Sequence, residues 1–156
     1  MLFWKKRKNG KKSTSGSQNS HNVPIISATI DDVRKAVNDY ASTLQKGVSL
    51  RSIVLDNHEI DFDLLHSFLG GKPDKKFYMS KETFEIFENQ EYPKFIDYCQ
   101  IACDQYFLEK GEEPITPGDP YRKISYYKLK NYLIEKPPFE LFLHKHDRMV
   151  THRSPR

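Results

Sequence analysis

The sequence predicts an α+β (or α/β) domain made of two tandem helix-strand-helix-strand units that share one core and end in a β-hairpin. Three observations predict it. Apolar residues recur at helical spacing in several stretches, with short β-branched and aromatic runs between them. Laid over each other at an offset of 64, the halves match Ile60 with Ile124, Phe62 with Tyr126, Leu65 with Leu129, Phe68 with Tyr132, Leu69 with Leu133 and Pro73 with Pro137. A core below about 70 residues rarely folds alone, so two such halves need a common interior. The expected organisation is a disordered basic arm at 1–22, then one domain at 23–156 with internal repeats at about 30–90 and 93–153.

The arm comes first. From Lys5 to Asn22 the chain has no apolar residue beyond glycine, and nothing there offsets the entropy of ordering it. Thr29, Asp31 and Asp32 then form a helix entry, and Ile30, Val33, Val37, Tyr40 and Leu44 follow helical spacing to Gly47, predicting a helix over about 30–46. "VSLRSIVL" predicts a short strand and "DNHE" a turn. Asp61 is placed to cap a short helix with Leu64, Leu65, Phe68 and Leu69 inward, stopped by Gly70 and Gly71. "KKFYMS" predicts a strand, while "SKETFEIFEN" fits either a short helix opened by Ser80 or the second arm of a hairpin.

The second half repeats this order. Pro93 suits the first turn of a helix whose buried stripe is Ile96, Cys99, Ala102, Cys103, Tyr106 and Phe107, ending at Lys110 and Gly111. After the Pro/Gly-rich "EEPITPGDPYRK", Ser125 opens a predicted fourth helix with Tyr126, Leu129, Tyr132 and Leu133 inward, closed by Pro137 and Pro138. "FELFLH" and "RMVTHR" flank "KHD" as a β-hairpin. Nearly every matched position is apolar or a proline, so the repeat encodes packing.

Charge is distributed unevenly. The net charge is +4, but the first twelve residues carry +6 and 144–156 carries +3, leaving 13–143 at −5. Mean hydropathy is −0.73 and no run approaches 18 apolar residues, so neither a signal peptide nor a membrane span is expected. Cys99 and Cys103 stand i, i+4 on one helix face, a geometry that suits two free thiols in a reducing compartment better than a disulfide.

The stretches "KKFYMSKETFEIFE", "GDPYRKISYYKL" and "PPFELFLHKHDRMVTHR", with the start "MLFWKKRK", resemble a small family of unknown function from Bacillus-type Firmicutes, over roughly residues 30 to 153. The resemblance implies a cytoplasmic bacterial protein. It carries no activity and no residue roles across.

Chemistry-bearing patterns are sparse. His144, His146, Asp147 and His152 invite a metal reading, but either two-residue or three-residue hairpin turns set His144 and His152 about 10–13 Å apart along the ladder, too far for one ion. "GGKP" lacks the rest of a phosphate loop. No spacing marks a nucleophile with its base, so no catalytic residue, cofactor or metal ligand is assigned. The N-terminus is more specific: Leu2, Phe3 and Trp4, followed by Lys5, Lys6, Arg7, Lys8, Lys11 and Lys12, combine apolar insertion with a polybasic patch, the two signals of reversible attachment to anionic lipid. Myristoylation is closed, because Leu2 stands where glycine is needed. The expected function is a non-catalytic adaptor or regulatory protein with an unknown protein partner, held at the inner membrane face. The alternatives are an enzyme with an unmarked site and nucleic-acid binding by the last helix and hairpin. In the latter, Lys123, Lys128, Lys130, Lys145, Arg148 and Arg153 meet phosphates and Tyr127 stacks.

Overall fold

A computed structural model describes residues 22–154. The fold is α+β, with three helices, a single 3₁₀ turn and short strand pairs among the described residues. The chain falls into two compact units: 22–42 with 62–75, and 43–61 with 76–154. Their borders cut across the predicted repeats. All of the basic arm expected at 1–22 except Asn22 lies outside the described part.

In the smaller unit, helix α1 spans Ile30–Ala41. Its entry is a reciprocal capping box: the Asp32 amide donates to Thr29 Oγ1 at 3.1 Å, and the Thr29 amide to Asp32 Oδ2 at 2.9 Å. That bonding holds the Asp32 carboxyl below its usual range. Strand β1 (Ile25–Ile26) pairs in parallel with β2 (Lys72–Pro73). Gly71 permits this close approach, since a Cβ there would lie 2.6 Å from the Pro24 carbonyl oxygen. The short helix predicted from Asp61 forms as one turn, α2 (His66–Leu69), stopped by Gly70 at φ 89°. Leu65 is fully buried, whereas Leu64 and Phe68 are partly exposed; Phe68 meets Tyr40 of α1 edge-on at 5.7 Å.

In the larger unit, the strand predicted over "VSLRSIVL" is a 3₁₀ turn, Leu50–Ile53. Ser49 explains the difference, because its hydroxyl accepts from the Arg51 amide and starts a turn that β-propensity alone does not foresee. Strands β3 (Tyr78–Met79) and β4 (Ile86–Phe87) form an antiparallel hairpin, which settles "SKETFEIFEN" as a hairpin arm. Helix α3 follows, Glu91–Lys110, with Pro93 in its first turn and Gly111 left-handed at its end. Strands β5 (Phe142–Leu143) and β6 (Val150–Thr151) form the C-terminal hairpin. Its core gathers Ile96, Cys99, Ala102 and Cys103 of α3 around Ile124, Leu129, Leu141, Leu143 and Val150.

The fourth helix predicted from Ser125 is not formed; residues 126–132 are successive turns. Its inward face is nevertheless correct, with Leu129 buried and Tyr126, Tyr132 and Leu133 packed on the core. Tertiary bonds override the helical periodicity: the Tyr126 hydroxyl donates to the Phe139 carbonyl at 2.7 Å, and the Tyr132 hydroxyl to Glu109 at 2.9 Å. The tyrosines and asparagine of this stretch are also weak helix formers. Among the described residues no helix is long and apolar enough to cross a membrane.

Candidate functional site

The two hairpins of the larger unit have the same backbone bonding at the offset of 64. The Ile60 amide donates to Phe77 and the Ile124 amide to Leu141; Met79 donates to His58 and Leu143 to Arg122; Ser80 donates to Glu85 and His144 to Met149. The left-handed residues coincide too: His58 at φ 72° with Arg122 at 59°, and Phe84 at 63° with Arg148 at 56°. A non-glycine residue held there costs about 1–3 kcal/mol, so each hairpin needs bracing from outside its own backbone.

Helix α3 supplies both braces, from residues three apart on one buried face. Asp97 holds the first turn. Its carboxylate accepts from Ser80 Oγ at 2.5 Å, the Lys81 amide at 2.9 Å and the Glu82 amide at 3.2 Å, and meets His58 Nε2 at 2.8 Å. Ser, Asp and His together suggest a nucleophile, but the order is wrong for one. The carboxylate lies between serine and histidine, and Ser80 is fully buried, its oxygen accepting from the Glu82 and Thr83 amides. The cluster anchors a turn.

Gln100 holds the second hairpin. Its amide oxygen accepts from the Val150 amide at 2.7 Å, and its nitrogen donates to the Arg148 carbonyl at 3.1 Å. Here the two left-handed residues are arginines, and both reach Glu113: Arg122 Nη2 at 2.5 Å and Arg148 Nε at 3.3 Å. The bond from Arg122, reinforced by Arg148, holds the Glu113 carboxyl below its usual range. Arg148 also lies over the Phe107 ring, 4.0 Å from its centroid.

Beside this cluster is a groove of about 290 Å³. Cys103, Phe107, Pro114 and Leu143 give it apolar walls, and Leu108, 83% exposed, stands at its edge. Its charged lining is three carboxylates, Asp104, Glu113 and Asp147, against the one guanidinium of Arg148. A volume near the bottom of the usual ligand-site range admits one or two large side chains. A further hollow of about 450 Å³ lies between Tyr126, Tyr127 and Pro137 to Phe139.

Four of the residues singled out for nucleic acid are paired with carboxylates. Lys128 pairs with Glu112, Arg148 with Glu113, Arg153 with Glu85 and Lys123 with Glu140. Lys130 lies 4.5 Å from the centroid of the exposed Tyr127 ring, and Lys145 is exposed in the hairpin turn. Those singled out for membrane contact, Leu2 to Lys12, lie outside the described residues. His144 is near His146 and Asp147, whereas His152 packs against Phe87 and Tyr92. Among the described residues no His, Cys, Asp and Glu group is arranged to hold a metal ion. Cys99 and Cys103 are buried free thiols, and that of Cys103 is pushed up by its bond to Cys99 and by burial.

Sequence reasoning missed Asp97, Gln100 and Glu113. A signal existed for the first two: they sit within the apolar stripe of α3, where an unexplained polar residue implies a buried partner. Glu113 had none, because its partners come from two distant turns.

The chain belongs to the family described as "Protein of unknown function (DUF3939)", which matches residues 23–152. No curated protein and no solved structure matches it.

Proposed function

We propose that this protein is a non-catalytic interaction module of the bacterial cytoplasm, brought to anionic membrane surface by Leu2 to Lys12 and offering the groove beside Leu108 to a segment of a partner protein. The observation that carries the reading is that groove, where an exposed leucine and apolar walls adjoin a rim rich in carboxylates. An apolar side chain that enters it leaves water, and neighbouring cations find acids at its mouth. The buried polar cluster at Asp97 supports the same reading, since its groups are occupied in holding a turn. The membrane part rests on the sequence: three large apolar residues beside six cations, each cation worth about 1 kcal/mol near an anionic surface.

Co-sedimentation with vesicles tests the attachment, comparing the full chain with a variant lacking residues 1–12 on anionic and neutral lipid at low and physiological salt. The expected result is binding by the full chain to anionic vesicles, weakened by salt and lost in the truncated variant. Equal behaviour of the two chains on anionic vesicles contradicts it.

A further inference from the structure

Helix α3 is buried over much of its surface, which makes the residues it leaves in water informative. Tyr98, Ile101, Gln105 and Leu108 follow one another at intervals of three and four, the spacing that keeps side chains on one helix face. Tyr98 is partly exposed, Ile101 is 51% exposed and Leu108 83% exposed, so this face is an apolar stripe interrupted by one amide. It runs directly into the groove, because Asp104, one turn on from Ile101, and Leu108 both belong to the groove's lining. The surroundings are negative. Asp104 and Glu109 flank the stripe on its two sides, Asp147 stands at the groove, and the carbonyl end of the 20-residue helix adds negative potential there. Of the cations nearby, Arg148 is paired with Glu113, Lys94 with Glu135, and Lys110 lies on the opposite side of the helix from Ile101.

A segment that follows this face must repeat its apolar contacts every three to four residues, which a helix does and an extended strand with its period of two does not. The stripe from Tyr98 to Leu108 is about 15 Å long, or three turns, and its few side chains fall far short of the roughly 20–30 residues per side that a stable dimer of whole domains uses. A short helical segment therefore fits this surface better than a second copy of the chain. We propose that the partner segment is a basic amphipathic helix lying along α3, with apolar residues on Ile101 and Leu108, one large side chain in the groove, and lysines or arginines beside Asp104 and Asp147. The proposal rests on the groove reading above and adds the conformation and charge of the occupant.

Three labelled peptides of about four turns, roughly 14 residues, test it by fluorescence anisotropy with the full chain at physiological salt. One carries leucines at helical spacing among lysines, the second has the same composition in scrambled order, and the third has glutamates in place of the lysines. The ordered leucine-lysine peptide should bind saturably and at least about tenfold more tightly than either of the others. Ile101→Lys and Leu108→Lys, at positions too exposed to disturb folding, should each weaken it about tenfold, the worth of one leucine-sized contact. Val48→Lys, half-exposed and outside α3, adds the same charge and should leave the affinity unchanged. Equal weakening by Val48→Lys reduces the binding to bulk charge and overturns the proposal, as does equal binding of the glutamate peptide. Equal binding of the scrambled peptide, or weakening by Leu108→Lys without weakening by Ile101→Lys, overturns the helix along α3 and leaves the groove reading standing. Absence of saturable binding by all three peptides, or binding that neither α3 substitution weakens, overturns both. Self-association in sedimentation that Ile101→Lys abolishes overturns the partner helix and assigns the face to a second copy.

Discussion

The first hairpin of the larger unit is closed around a buried carboxylate, and the second is tied by a neutral amide. Their backbones match residue for residue at an offset of 64, down to left-handed residues at the same two places. Asp97 fills the first turn, while Gln100 takes one amide and one carbonyl of the second. The difference teaches that backbone and side-chain chemistry are separable here. Shared apolar positions specify the hairpin, and the residues at its strained positions decide what it presents. In the first, His58 turns to the buried Asp97. In the second, Arg122 and Arg148 turn to Glu113 at the border of the groove. We read the first hairpin as scaffold and the second as the working face, in a chain we propose arose by tandem duplication.

The largest expected effect tests what the copies share. Phe77 and Leu141 occupy matched positions and are both fully buried. Phe77→Ala should cost about 3–5 kcal/mol and Leu141→Ala about 2–5 kcal/mol in urea denaturation. A negligible loss at either position breaks the equivalence of the two hairpins.

Next comes the bracing, where the copies should differ. Asp97→Ala strands the Ser80 hydroxyl, two amides and His58 together, at a cost of about 3 kcal/mol or more. Gln100→Ala strands one buried amide and one carbonyl, at about 1–2 kcal/mol. Equal losses on denaturation, or a larger one at Gln100, would erase the distinction between a locked hairpin and a tied one.

A smaller effect comes from pH. Burial depresses the His152 pKa, so the folded chain binds that proton less readily than the unfolded chain. Above the unfolded value of about 6.5 both states are neutral and the residue contributes nothing to pH dependence. As pH falls below about 6.5 the unfolded state takes up the proton first, and stability drops until the folded value is passed. Glu113 acts in a lower window: its depressed pKa gives stability that is present above about 4.3 and lost as pH falls through the folded value. His152→Phe keeps a ring against Phe87 and Tyr92 and removes the titration. Urea midpoints of the original chain should therefore fall between pH 7.5 and 5.5 by more than those of the variant; identical slopes would remove His152 as the cause.

These contrasts also mark how much of the molecule was legible beforehand. Helix α3, the Thr29 cap, the Gly70 stop and the C-terminal hairpin follow from local chemistry, and all are read from residues within a few positions of one another. The strand predicted at 48–55 rested on apolar and β-branched composition, and the helix predicted at 125–136 on periodicity between an opening serine and a proline stop. Periodicity identifies which side chains go inward, as Leu129 does, without fixing the backbone that carries them. The groove was not legible. Its lining comes from α3, the connection at Glu113 and the turn at Asp147, brought together by the fold.

The most direct test of the contrast between the two hairpins compares amide hydrogen exchange in the two turns of the full chain. Slower exchange at Lys81 and Glu82, whose amides donate to the buried Asp97, than at His146 and Asp147 in the second turn is the predicted result. Equal exchange in the two turns, or slower exchange in the second, would contradict the account.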